Sequence, residues 1–101
     1  MMYAVLLLAS VATLTPSALV ANPTSYEGKP VVVQGKISEI QKSHSLMGTV
    51  TGFKLCDTAC VVVIDKTNAA HTDGENATIS GTFQTNFKGP KRSFKNVVLV
   101  K

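Results

Sequence analysis

Hydrophobic and polar positions divide the chain into an uncharged apolar opening and a longer remainder of short apolar segments separated by polar, turn-forming stretches. The opening run, Tyr3-Ala-Val-Leu-Leu-Leu-Ala-Ser-Val-Ala-Thr-Leu, breaks at Pro16 and passes into Ser17-Ala18-Leu19-Val20-Ala21. No side chain is charged before Glu27. Asn22-Pro23-Thr24-Ser25 then reads as a short leader and Tyr26-Glu27-Gly28-Lys29-Pro30 as a turn. Five segments with strand composition follow, each bounded by turn-forming residues: Val31 to Ile40, Thr49 to Leu55, Cys60 to Ile64, Ala77 to Phe83 and Phe94 to Val100. In the first, Val31, Val33 and Ile37 share a parity that shifts at Ile40. A shift beside the mid-strand Gly35 predicts a bulged, bent strand. Gln41 to Gly48 reads as a polar loop. The third segment is an unbroken apolar run, the pattern of a strand covered on both faces. No stretch after Asn22 has an apolar period near 3.6, and Lys66 to Asn76 has room for one helical turn at most.

Five strands in about 80 residues, the first long and bent, predict one all-β domain that curls into a small barrel. Closure hides the edges that such Val-rich strands would otherwise expose. An SH3-like barrel or a small sandwich is the alternative architecture.

The apolar opening is too short to span a bilayer and suits a secretory signal peptide, which predicts a leader over residues 1–21 and a domain over 22–101. It departs from that pattern in having no Lys or Arg before the run. Leu19 is also a poor residue three before a cut at Ala21, and a cut after Ala18 is the other option. An uncleaved anchor, or a first helix packed on the domain, are the alternatives. No Cys lies near these sites, which argues against a lipoprotein. Export places the protein in the periplasm or outside the cell, where its two cysteines would be oxidised. Cys56 and Cys60 flank three residues, so a tight hairpin would set them opposite each other, with Cα atoms about 4.5 Å apart. A bridge this local adds ~2 kcal/mol in the chain-entropy model. A redox-active pair or half of a metal site are the rival readings. Redox pairs favour Cys-x-x-Cys at a helix N-terminus, whereas β-branched residues follow Cys60.

Three stretches carry a resemblance: Gly28-Lys29-Pro30-Val31-Val32-Val33-Gln34-Gly35-Lys36-Ile37, Gly52-Phe53-Lys54-Leu55-Cys56-Asp57, and Asp73 to Phe83. In these the chain resembles the OB-fold domains of exported bacterial proteins and of nucleic-acid-binding modules, over roughly Tyr26 to Lys101. The resemblance implies a five-stranded barrel of OB-fold type. It also implies a ligand lying across the second and third strands, flanked by the loops that join strands one to two and four to five. The helix usual between the third and fourth strands is shortened or absent, and the dense aromatic and basic face of strong nucleic-acid binders is missing.

Charge sharpens the picture. The chain carries ten Lys and Arg against six Asp and Glu, a net +4. From Asn22 to Glu75 five Lys meet six acids, for −1, while Asn76 to Lys101 holds Lys88, Lys91, Arg92, Lys95 and Lys101 and no acid, for +5. A segregated excess of this kind steers anionic partners. Within the segment Gln84 to Ser93, Phe87 stands beside Lys88, Lys91 and Arg92, and Lys95 follows. Cations that neutralise phosphates and a ring that stacks on a base are the means of holding single-stranded nucleic acid. Phe53 and Lys54 extend that surface. The plainer reading puts Phe53, Phe83 and Phe94 in the core, leaves Phe87 as the exposed ring and has the cations solubilise a hairpin tip.

The pattern therefore points to a binding module for an anionic ligand, single-stranded nucleic acid first and an acidic glycan or headgroup next. A protein-interaction subunit of an envelope assembly, using an edge strand or the Val97 and Leu99 face, is one alternative partner reading. A copper carrier is another. His44 and Met47 faintly resemble the ligands of small periplasmic copper chaperones, but a single His and a single Met make a poor set, so no metal site is assigned. His71 reads as a surface residue. No catalytic motif occurs, and Asp57, Asp65, Asp73 and Glu75 sit where carboxylates cap turns. The sequence reads as that of a non-enzyme without a cofactor.

Overall fold

Each of the five strand-like segments forms a strand, and two run well past the bounds that their apolar pattern suggested. The computed structural model describes residues 12–45, 48–67, 69–89 and 93–101. In chain order the elements are β1 (Thr13–Leu14), helices α1 (Pro16–Ala21) and α2 (Pro23–Tyr26), then β2 (Pro30–Ser45), β3 (Gly48–Cys56), β4 (Cys60–Asp65), β5 (Asn76–Lys88) and β6 (Ser93–Val100). The expected polar loop after Ile40 is thus largely strand, and so is Gln84 to Lys88. Between β4 and β5 no helix forms among the described residues.

The length of β2 makes a barrel possible. Its first half, Pro30 to Lys36, pairs antiparallel with β5, and its second half, Lys36 to Ser45, pairs antiparallel with β3. β3 pairs antiparallel with β4, β4 pairs parallel with β6, and β6 pairs antiparallel with β5. The ring of hydrogen bonds is therefore closed, and the protein is a small all-β barrel. A strand serving two neighbours must bend. The bend sits at a bulge between Ser38 and Gln41, where Glu39 adopts a left-handed backbone with φ 54°. The bulge thus falls where the apolar parity shifts, between Ile37 and Ile40, although not at the neighbouring Gly35. Gly35 instead allows close packing: a Cβ there would lie 3.0 Å from the Cys56 carbonyl oxygen and 3.1 Å from side-chain atoms of Leu55 and Pro16.

Inside the ring, Val31, Val33 and Ile37 of β2 meet Phe53, Leu55, Val61, Val63, Ile79, Phe83 and Val98. Full burial of each such side chain stabilises the fold by about 1.5–3 kcal/mol. One more core residue comes from outside the strands. Leu19 on α1 is 0% exposed and packs in the same cluster. The helix has local reasons to form there. Thr15 is its N-cap, accepting the Ala18 amide on Oγ1 at 3.2 Å, and Pro16 occupies the first turn. β1 lies parallel to Val32 and Val33 of β2, along the edge left uncovered because β3 ends opposite Lys36. A domain beginning at Asn22 would lack Leu19, the buried Pro16 and β1.

Cys56 and Cys60 are cross-strand partners and are joined by a disulfide, with Cα atoms 4.1 Å apart. The turn between them also holds the helix. Asp57 accepts the Ser17 amide at 3.0 Å, the Ser17 hydroxyl at 2.7 Å and the Ala59 amide at 3.1 Å.

Two substitutions test this packing. Leu19→Ala should lower unfolding free energy by about 2–5 kcal/mol in urea titration, as deletion of core leucines does. Gly81→Ala should cost about 1–3 kcal/mol, because its Cβ would stand 2.6 Å from the Leu99 carbonyl oxygen, a backbone atom held in the β5–β6 pairing.

Candidate binding groove

Because successive side chains on a strand point to opposite faces, the apolar run of β4 supplies two clusters rather than one. Val61 and Val63 point into the barrel. Ile64 joins the buried Val97 and Leu99 of β6 in a second cluster, completed by half-buried Val50, Val62, Phe87 and Phe94. This second cluster floors a groove of about 1000 Å³. Two hairpins wall it. The β2–β3 pairing continues outward to Ser45 and Gly48, and the β5–β6 pairing to Lys88 and Ser93. Glu39, Gln41, Ser43 and His44 line one side, Phe87, Lys88, Gly89 and Phe94 the other, with Lys54 and Lys66 also at its surface.

The groove gathers four of the seven residues expected to bind ligand. Phe53 reaches it but is only 3% exposed, and it belongs chiefly to the core. Lys54 is exposed and lies 3.2 Å from Glu39, which the bulge in β2 presents to it. An exposed pair of this kind contributes at most about 1 kcal/mol. Phe87 lines the groove yet is half-buried rather than the exposed ring expected, because it sits opposite Phe94 across the hairpin and packs in the second cluster. Lys88 is exposed on the rim. Lys95 is exposed but stands outside the lining, and Lys91 and Arg92 lie outside the described residues.

Several lining residues were not anticipated. Phe94 was assigned to the core, and Val50, Val62, Ile64 and Lys66 had no assigned role. The unbroken run of the third segment was the signal for them, since a strand apolar on both faces requires a second apolar surface. His44 lies on β2 rather than in a loop, with its Nδ1 3.0 Å from Thr49 Oγ1, and Met47 lies outside the described residues. Among the described residues there is no group of three or more metal-ligating side chains.

Behind Phe53 lies a buried polar junction. Asp65, 2% exposed at the end of β4, accepts the Thr67 amide at 2.7 Å and the Thr67 hydroxyl at 2.6 Å. His71 Nε2 lies 2.6 Å from its other oxygen, so His71 is a half-buried partner and not a surface residue. The imidazole packs on Phe53 with ring centroids 4.6 Å apart. The segment after β4 is thereby tied to the residue that backs the groove. Burial pushes the Asp65 carboxyl up, but the hydrogen bonds from Thr67 and His71 outweigh it and hold the group below its ordinary value. Glu27 and Asp57 are also held low, chiefly by hydrogen bonds from Thr85 and Ser17 respectively.

No family model matches the chain, and no curated protein matches it. A solved structure does: that of a "putative nucleic acid-binding lipoprotein" from Klebsiella pneumoniae, with a TM-score of 0.65 and 20% identity, covering 92% of this chain and 91% of that one. At this identity the likeness establishes a shared fold. The class is accordingly that of small all-β barrels.

Acid titration should report the Asp65 junction. A carboxyl with a lowered folded pKa stabilises fully above its unfolded value, about 3.9, and that contribution is lost as pH falls through the folded value. Stability should therefore be level above about pH 5 and fall below about pH 4. Asp65→Asn should flatten part of that fall and lower stability at pH 7, while Glu27 and Asp57 maintain a residual slope. An unchanged acid limb in Asp65→Asn would refute the assignment.

Proposed function

We propose that the protein is an exported, non-catalytic binding module of OB type that holds single-stranded nucleic acid in the groove between its two long hairpins. The observation that carries the reading is the combination in one groove of an apolar floor, the Phe87 and Phe94 rings and the cations Lys54, Lys66 and Lys88. Each element has a task. Bases stack on or insert beside the phenyl rings for about 1–3 kcal/mol each, and the ammonium groups neutralise phosphates along the strand. Lys95, exposed outside the lining, adds to the positive field. Likeness in fold to a protein described as nucleic-acid-binding supports the same ligand class. The Cys56–Cys60 disulfide supports a periplasmic or secreted location, since such bonds persist in oxidising compartments.

Fluorescence anisotropy with a labelled oligothymidylate tests the reading. Log affinity should fall linearly with log salt at about −0.7 per neutralised phosphate, near −2 for three groove cations. Lys66→Ala with Lys88→Ala should flatten the slope by about 1.4. Phe94→Ala should weaken binding about 5- to 150-fold. Absence of binding at low salt would exclude the reading. Affinity indifferent to salt and to both lysines would point instead to a protein partner seated on the aliphatic floor.

A further inference from the structure

Resting on the groove reading above, we propose that the Glu39–Lys54 pair reads guanine, so that the module selects single strands carrying that base. The pair is distinguished by its place, its backbone and its chemistry.

Glu39 lines the groove on the β2 side, where Gln41, Ser43 and His44 follow it, and Lys54 lines it from β3. Their side chains are 64% and 47% exposed, respectively, so both are open to an incoming ligand. The backbone at Glu39 is unusual. Ser38 pairs with Lys54 and Gln41 with Gly52, so the bulge sets Glu39 and Ile40 against the single residue Phe53. Glu39 adopts φ 54° there, a conformation that Gly or Asn takes at lower cost. An exposed ion pair adds little to stability. Neither the bend nor the fold therefore accounts for a glutamate at this position.

Its chemistry does. A carboxylate in a groove that takes phosphates repels them, so a base rather than a phosphate occupies this part of the floor. Glu39 Oε2 lies 3.2 Å from Lys54 Nζ, which places one donor group beside two acceptor oxygens. The Watson–Crick edge of guanine is the complement of that array. Its O6 accepts from the ammonium, while N1–H and the N2 amino group donate to the carboxylate, whose lone pairs suffice for these and for Lys54. The other bases fit worse. Adenine and cytosine set a ring-nitrogen lone pair beside their one amino donor, and thymine flanks its N3–H with two carbonyl oxygens. Both arrangements turn lone pairs toward the carboxylate. Where guanine is bound, Lys54 serves the base and Lys66 and Lys88 remain for phosphates.

Fluorescence anisotropy compares oligothymidylate with the same oligomer carrying one central guanine, hypoxanthine, adenine or cytosine. Guanine should tighten binding about 5- to 150-fold over thymine, the discrimination that a bidentate side-chain–base pair provides. Hypoxanthine, which lacks the N2 amino group, should recover only part of that gain, and adenine and cytosine little of it. Glu39→Gln should abolish the guanine advantage and tighten binding of plain oligothymidylate, because a neutral amide no longer repels phosphates. Binding of oligothymidylate without a guanine advantage, or an advantage that survives Glu39→Gln, overturns the guanine assignment alone. Failure of every oligomer to bind at low salt overturns the groove reading, and the assignment with it.

Discussion

The architecture depends on β4 being covered on both faces. A strand in a barrel normally offers one face to the interior and the other to water, yet Val61 and Val63 are buried on one side and Ile64 on the other. Burying the outer face requires chain from elsewhere. The β5–β6 hairpin supplies it through Phe87 and Phe94, and the β2–β3 hairpin through Val50. The groove is the space left where these two extensions do not meet. Its floor is thus a by-product of the packing that keeps an all-apolar strand out of water.

The same logic explains why the charged and polar residues lie where they do. Along β3, Phe53 and Leu55 turn inward, so Lys54 must turn outward, and the bulge in β2 brings Glu39 within 3.2 Å of it. At the end of β4 the inward parity falls on Asp65, which cannot be left unpaired in a low-dielectric site. Thr67 and His71 supply its partners, and the tilted contact of His71 with Phe53 carries that local necessity to the wall of the groove. Fold stability and groove shape are therefore coupled through a single buried carboxylate.

The opposite end of the barrel is closed by a different device. A ring of five strands in so small a domain has an open mouth, and Leu19 fills it from a helix of six residues. Such a helix is not stable by itself. It is held by its Thr15 cap, by the burial of Pro16, and by Ser17 against Asp57 in the turn that the disulfide pins. The disulfide thus does more than shorten a loop, because the turn it closes also anchors the element that seals the core.

Local pattern determined much of this. Strand composition bounded by turn residues located all five ring strands, and the spacing of Cys56 and Cys60 implied their pairing, because facing positions in a three-residue hairpin are fixed by strand geometry alone. The doubly apolar β4 was legible for the same reason. Tertiary contact decided the rest. Gln41 to Ser45 and Gln84 to Lys88 are polar enough to read as loops, and they become strands because each has a partner strand to satisfy its backbone groups. The parity shift located the bulge at Glu39, but only packing revealed the task of Gly35, which admits Pro16 and the Cys56 carbonyl. Phe87 was drawn into the second cluster by Phe94, a neighbour seven residues away that only the hairpin brings opposite. The break at Pro16 was legible, but not that Leu19 beyond it packs in the barrel core. Periodicity records which face of a segment avoids water. It does not record what covers that face, and the groove is made of such coverings.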